Sequence, residues 1–370
     1  MSPREMTTAT LDIARDFSIS GEPLNAQPIV SGHINDTYVV RTNTNQRYIM
    51  QRINHAVFRD PCGLMNNVLL VTQFMKERLA EAGQQDADRR VLQVVPHRDG
   101  AALLETASGD YWRMYRYIED SHAVGDIPSL SEIHPAAFGF GRFTSLLATM
   151  PTGGLVETIS KFHHGPRRYG DFLKSVQMDA ANRVKDTKRE IEFIQQHENL
   201  LARPQQMLES GELSWRVAHN DAKSNNVLLD DQTNEALCVI DLDTVMPGLA
   251  LFDFGDLVRT TSAIAAEDER DLDKVQVDLA RLKLVTQGFL AGTQDSLTRA
   301  ERASLVLGPS YMTLIMATRF LTDHLQGDTY YRIHRPNHNL DRCRAQIALI
   351  RELLIKEDEL SALLDERNQA

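Results

Sequence analysis

After Pro61 the apolar residues Leu64, Val68, Val71, Met75 and Leu79 recur at steps of three and four, the spacing of a helix with one buried face. The period on either side is that of strands. "QPIVSGHINDTYVVRT" and "QRYIMQRIN" are extended runs joined by the turn-rich "NTNQ", and "RVLQVVPHRDGAALLETASGDYWRMYRYIED" is broken at "HRDG" and "ASGD" into three short strands. Together they predict an antiparallel sheet of about five strands with one packed helix over residues 1–120. "SHAVGDIPSL" at 121–130 reads as a connector. From His134 the pattern is mainly helical, over 134–150, 169–180, 186–202, 272–291, 300–327 and 340–369, with short strands around 227–230 and 236–242. The expected class is α+β, a small sheet lobe of residues 1–120 and a larger helical lobe of 121–370. A ligand cleft is expected where two such lobes meet.

One stretch breaks the pattern with concentrated polarity. "VAHNDAKSNNVLLD" places His219, Asp221, Lys223, Asn225 and Asn226 immediately before an apolar strand, and Asp241 follows at the end of the next strand, twenty residues past Asp221. Phosphoryl transfer from a nucleotide calls for this inventory. A carboxylate orients the acceptor hydroxyl and takes its proton, hard oxygen ligands hold Mg²⁺ on the phosphates, and a cation balances the transferred charge. Asp221 suits the first role, Asn226 and Asp241 the second, Lys223 the third, and His219 braces the loop. Asp243 lies two residues beyond Asp241, so on a regular strand both carboxylates share a face and either or both reach the metal. The bland alternative is a set of turn-capping side chains. Asp253 of "FDFG" is thirty-two residues past Asp221, too far to be the metal carboxylate; it and Asp256 are expected to cap the helix "GDLVRTT" and brace the loop.

In the sheet lobe, "SGHINDTY" joins the first two strands, and Ser31, Gly32 and Asn35 could lay backbone N–H groups over phosphates, with His33 at the tip. The backbone of Arg116, Tyr117 and Ile118, at the end of "WRMYRYIED", is a candidate partner for an adenine edge.

Composition narrows the partners. The 370 residues carry a formal net charge of −11, which argues against a nucleic acid, since such binding needs a basic face. No run approaches the length of apolar residues a membrane span needs, and "MSPREMTTATLDIARDF" lacks the apolar centre of a signal peptide. Cys62, Cys238 and Cys343 have neither zinc nor redox spacing, and Cys238 reads as a core residue; a cytoplasmic location fits. The C-terminal "AQIALIRELLIKEDELSALLDERNQA" is amphipathic and is expected to pack within its own chain, leaving monomer or homodimer open.

"HNDAKSNN" followed by "VIDLD" resembles the catalytic loop and metal-binding Asp of the kinase superfamily, and more closely its aminoglycoside phosphotransferase and choline kinase branch. That resemblance implies a two-lobed protein-kinase-like fold. One departure from protein kinases stands out: where they carry a phosphate-binding Lys on the third strand, "RYIMQRIN" holds Gln51, and Arg52 projects to the other face. The helix after Pro61 has no Glu until Glu77, so the usual Lys–Glu pair is absent, and Gln51 remains to hydrogen-bond a phosphate. Taken together, "GHINDTY", "HNDAKSNNVLLD", "IDLDTVMPG", "LFDFGD", "RFLTDHLQGDTYY" and "HNLDRCRAQ" resemble the N-acetylhexosamine 1-kinases, over about residues 10–355. The resemblance implies transfer of the ATP γ-phosphoryl group to the anomeric hydroxyl of N-acetylglucosamine or N-acetylgalactosamine, with His33, Asp221, Arg319 and Tyr330 facing the sugar. Read from the residues alone, Arg319 is equally suited to an ion pair with Asp323, and the tyrosines to core packing. Kinases of other small alcohols, such as an aminoglycoside, homoserine, choline or another hexose, and a nucleotide-binding pseudokinase that has lost the strand Lys, remain as alternatives.

Overall fold

The structure is a computed structural model that describes residues 3–29 and 34–365, with side chains from residue 9 onward. The chain divides into two compact units. Unit one comprises residues 1–121 with two later segments, 153–160 and 238–246; unit two comprises 122–152, 161–237 and 247–370.

Unit one contains α1 (Pro3–Arg15), β1 (Pro23–Ile29), β2 (Asp36–Thr42), β3 (Arg47–Ile53), α2 (Pro61–Glu81), α3 (Ala87–Arg90), β4 (Val94–Val95), β5 (Leu104–Glu105) and β6 (Tyr111–Arg116). The sheet is antiparallel in the order β1-β2-β3-β6-β4, with β5 also paired to β6. One face of it is apolar: Val40, Tyr48, Met50, Val95, Trp112 and Met114 bury against Ala14 and Phe17. The helix α1, which no apolar period in the sequence announces, covers that face. The helix α2 starts as its pattern requires. Asp60 accepts from the Gly63 N–H at 2.8 Å, Pro61 takes the first helical position where no N–H is needed, and Leu64, Val68, Val71, Met75 and Leu79 are all buried.

Unit two continues from β7 (Ser121–Ala123) through α4 (Leu130–Leu146), α5 (Gly165–Met178), α6 (Lys188–Gln196), α7 (Glu198–Glu209), β8 (Arg216–Ala218), β9 (Val227–Asp230), β10 (Ala236–Val239), β11 (Met246–Gly248), α8 (Ala250–Thr261), α9 (Leu279–Thr293), α10 (Arg299–Ser304), α11 (Gly308–Gln326), α12 (His338–Ile355) and α13 (Glu357–Asp365). The strand β10 and the first residue of β11 run across the division between the units. Helices α4 and α9 meet backbone to backbone: a Cβ on Gly141 would lie 2.2 Å from the Phe289 carbonyl oxygen, and one on Gly292 would lie 2.3 Å from that of Phe138. Predicted helices differ from observed ones where local chemistry cuts the apolar pattern. The stretch 272–291 opens with a single 3-10 turn (Leu272–Lys274) and becomes α-helical only at Leu279, where the Asp278 carboxylate accepts from the Arg281 N–H at 3.0 Å. The stretch 340–369 breaks after Ile355 and restarts at Glu357. Arg299–Gln326 is long and apolar enough by composition to cross a membrane, yet most of it is buried inside unit two as core. Cys238 and Cys343 are buried and Cys62 is exposed, all three as free thiols; burial pushes the Cys238 thiol up to about 12.

Candidate active site

The loop after β8 is shaped from below. Asp253, in the first turn of α8, accepts from the backbone N–H groups of His219 (2.8 Å) and Asn220 (2.7 Å), a fully buried carboxylate that fixes two consecutive peptides. Burial raises its carboxyl, while those N–H groups and His219 oppose the shift. This is the bracing role expected of Asp253; it does not cap α8, whose preceding residue is Leu249. At Asn220 the backbone turns left-handed (φ 62°), a conformation Asn tolerates better than most residues. Gly248 makes room for that turn, since a Cβ there would fall 2.5 Å from the Asn220 Oδ1. The His219 ring is completely buried, edge-on to Phe140 and Phe143. Its Nδ1 accepts from the Asp221 N–H at 3.3 Å. His219 therefore positions the loop and is too deep to touch a substrate.

The turn delivers Asp221 to the surface of the loop, with a quarter of its side chain exposed. The Lys223 ammonium lies 2.9 Å from Asp221 Oδ1. Burial raises the Asp221 carboxyl, but Lys223, through its charge and its hydrogen bond, outweighs that and holds the group below the usual carboxylate range. Burial likewise lowers Lys223, and Asp221, Asp256 and Glu267 reverse that to a net rise. The pair is ionised at neutral pH: a carboxylate able to accept a proton beside a fixed cation. Asn226 donates from Nδ2 to the Asp221 carbonyl at 2.9 Å, which leaves its amide oxygen, a hard donor, outside those bonds.

The wall beside this loop is cationic and aromatic. Arg319 on α11 is not paired with Asp323, whose carboxylate instead accepts from the backbone of Thr329, Tyr330 and Tyr331 and from Asn339. The Arg319 guanidinium lies 4.8 Å from the Phe162 ring centroid, 5.7 Å from Tyr330 and 5.4 Å from Tyr331, and among the described residues it has no carboxylate partner. Arg168 on α5 has none either; its Nε donates to the Phe162 carbonyl at 2.9 Å. Burial and the nearby Arg319 charge push Arg168 down to about 10. Tyr330 is half exposed, so it is not core, while the buried Tyr331 hydroxyl has no hydrogen-bond partner among the described residues. Arg168 is one of two adjacent arginines in "GPRRY", and no pattern in the sequence separates them.

His163 ties this wall to the loop. Its Nε2 donates to the Asn220 carbonyl at 2.7 Å, and Arg319, Arg168 and Asp221 all act on its charge. Burial pushes the imidazole down to about 3. Because the folded value lies below the ordinary 6.5, the unfolded chain takes up the proton first, so this group's contribution is intact above pH 6.5 and is lost as pH falls toward 3. By pH 5 the loss amounts to about 2 kcal/mol. Urea unfolding at pH 7 and pH 5 should show His163→Gln losing about that much less stability across the interval than the parent chain.

Unit one holds the remaining candidates. Ser31, Gly32 and His33 lie outside the described residues. The Asn35 side chain is a structural staple: its Nδ2 donates to Asp243 Oδ2 at 2.6 Å and its Oδ1 accepts from the Asn54 N–H at 3.0 Å. Gln51 is engaged on both ends, by Thr37 Oγ1 (3.1 Å) and Arg113 Nε (3.0 Å). Arg52 faces the other side, paired with Asp36 and Asp110, and Glu77 accepts from Gln73 at the surface. The N–H groups of Arg116 and Tyr117 are bound to the Gln93 and Arg47 carbonyls, so they are not adenine donors; with Ile118 these residues line a pocket of about 310 Å³ together with Asp88, Arg89 and Gln93. Asp241 occupies a left-handed turn (φ 59°). That turn breaks the regular strand on which Asp241 and Asp243 were expected to share a face. Asp243 is fully buried, 2.5 Å from the Arg113 guanidinium.

The sheet unit, the helical unit and the Asp221–Lys223 loop define a small-molecule phosphotransferase of kinase-like fold. The model of the phosphotransferase enzyme family (APH) matches residues 25–284, and the chain belongs to that family. Solved structures share the fold at low identity. A microcompartment-associated aminopropanol kinase is 16% identical (TM-score 0.61, covering 96% of this chain and 98% of the other). Spectinomycin phosphotransferase in complex with ADP and spectinomycin is 12% identical (TM-score 0.59, 94% and 98%). A choline/ethanolamine kinase family protein from Mesorhizobium loti is 15% identical (TM-score 0.53, 99% and 100%).

Proposed function

We propose that this phosphotransferase moves the γ-phosphoryl group of ATP to the anomeric hydroxyl of an N-acetylhexosamine, giving the sugar 1-phosphate. The observation that carries the acceptor class is the Arg168–Arg319 wall. An ammonium-bearing acceptor, such as an amino alcohol, choline or an aminoglycoside, would meet two guanidiniums there that form no ion pair among the described residues. A neutral sugar instead offers hydroxyl and amide oxygens to guanidinium donors and a ring face to Tyr330. The orphaned Tyr331 hydroxyl adds one further group in want of a partner.

In the proposed reaction the sugar oxygen forms a bond to the γ-phosphorus as the bond to the bridging oxygen of ADP breaks, in line and with a loose transition state. Asp221 orients the hydroxyl and receives its proton late, while Lys223 balances charge on the phosphoryl group. Asn226 and Asp241 are the hard oxygen donors suited to Mg²⁺, which, when bound, neutralises charge on the phosphate oxygens. Among the described residues no three His, Cys, Asp or Glu side chains form a metal cage. A screen of ATP consumption with N-acetylglucosamine, N-acetylgalactosamine, other hexoses, ethanolamine, aminopropanol, homoserine and aminoglycosides tests the reading. Turnover should be confined to the N-acetylated sugars; preference for an ammonium-bearing alcohol would refute the acceptor class, and no ATP consumption with any of them would refute the assignment.

A further inference from the structure

The kinase strand lysine is missing, yet the sheet of unit one buries one complete cation. Thr37, Gln51 and Arg113 are cross-strand partners on β2, β3 and β6, so their side chains share a face. They form a continuous row: Gln51 Nε2 donates to Thr37 Oγ1, Gln51 Oε1 accepts from Arg113 Nε at 3.0 Å, and Arg113 Nη1 reaches Asp243 Oδ1 at 2.5 Å. That last contact is a close ion pair whose angle is not that of a hydrogen bond. Asn35 occupies the other Asp243 oxygen. From α2, Met65 Sδ lies 3.8 Å from Arg113 Nη1, and Asn67 clamps the same loop by donating to the carbonyls of Val245 (2.9 Å) and Val156 (2.8 Å). Arg113 and Asp243 expose 1% and 3% of their side chains, so neither trades its partner for water. Burial opposes the Arg113 charge, and Asp243 and Asp241 both favour it, which places Asp241 within electrostatic reach as well.

We propose that Arg113 is a positioning residue for the metal carboxylate: held by Gln51, it locks and neutralises Asp243, so that the loop 241–243 presents a single net carboxylate, Asp241, to the nucleotide-borne cation. Gln51 thus supports the cation of this sheet from the place where protein kinases carry it. The charge count matters because a divalent ion bound by two unneutralised carboxylates is held more tightly and leaves with ADP more slowly. This inference rests on the nucleotide-and-metal part of the proposed function and is independent of the acceptor.

The test is Mn²⁺ binding in the presence of ADP, followed by electron paramagnetic resonance, with no acceptor and no turnover. Arg113→Gln keeps polar contact with Asp243 but removes the charge, and it should tighten Mn²⁺ binding about tenfold. A merely structural role for Arg113 predicts the opposite sign, because loosening the loop weakens the site. The double variant Arg113→Gln/Asp243→Asn removes both charges and leaves no buried ion unpaired, so it decides the matter even where the single variant does not fold. It should bind Mn²⁺ within about twofold of the parent. Unchanged or weaker binding by a folded Arg113→Gln chain overturns the proposal. So does a loss of tenfold or more in the double variant, which would make Asp243 a metal ligand. Normal Mn²⁺·ADP binding combined with no sugar phosphorylation would count against the acceptor assignment alone.

Discussion

Asp221→Asn lowers kcat about 10³-fold while ADP binding survives nearly unchanged. The amide keeps the size of the carboxylate and can still accept from the acceptor hydroxyl, but it cannot take the proton that must leave as the new O–P bond forms. The surrounding shape rests mainly on contacts that do not use the carboxylate charge. Asp253 holds the peptides of His219 and Asn220, His219 is wedged against Phe140 and Phe143, and the shorter of the two Asn226 Nδ2 contacts goes to the Asp221 carbonyl (2.9 Å), the longer to its carboxylate (3.4 Å). The substitution therefore removes a chemical function from an intact loop. Lys223 loses its nearest counter-charge, an effect on stability of about 1 kcal/mol for a pair this exposed. Steady-state kinetics paired with calorimetric titration of ADP checks both halves. Turnover within tenfold of the parent would remove Asp221 from the role of proton acceptor, and loss of ADP binding would mean that the loop had collapsed.

The parts legible in the sequence were those written in local pattern. The α2 face follows from Leu64 to Leu79 at helical spacing, and the Asp221 loop follows from polar residues crowded before an apolar strand. Asp253 as a brace was legible because its distance from Asp221 disqualified it as a metal ligand. What stayed hidden depends on contacts distant in sequence. Arg113 sits in a strand buried on both faces, with Trp112, Met114 and Tyr115 also buried, so no alternation reveals which side it serves or that Asp243 awaits it. The side-chain partners of Gln51 and Asn35, Arg113 and Asp243, lie 62 and 208 residues away, beyond the reach of any local pattern. The i+4 spacing of Arg319 and Asp323 suggested a helix ion pair, but Asp323 is drawn off by the turn at 329–331. The helix α1 is not legible in its sequence, where four charged residues and three threonines leave few large apolar positions to set a period, and the packing of Ala14 and Phe17 on the sheet explains it.

Asp241→Asn raises the Mg²⁺ concentration needed for half-maximal turnover about 100-fold and lowers kcat by about 10²–10³-fold. Asn is the informative replacement because Asp241 holds a left-handed backbone (φ 59°), which Asn adopts with little strain, whereas Ala would add a backbone penalty to the loss of the ligand. The neighbouring substitution should behave differently. Asp243→Asn leaves the fully buried Arg113 without its counter-ion, so its main effect is on folding, about 3–5 kcal/mol of stability. Its effect on the Mg²⁺ requirement should stay within about tenfold, the residue of one uncompensated positive charge near Asp241. Metal titrations of activity and urea unfolding of both variants separate the two roles. If the variants exchanged behaviours, with Asp243→Asn abolishing metal dependence and Asp241→Asn unfolding the chain, the metal would belong to Asp243 and the ion pair with Arg113 would have to open before the nucleotide binds.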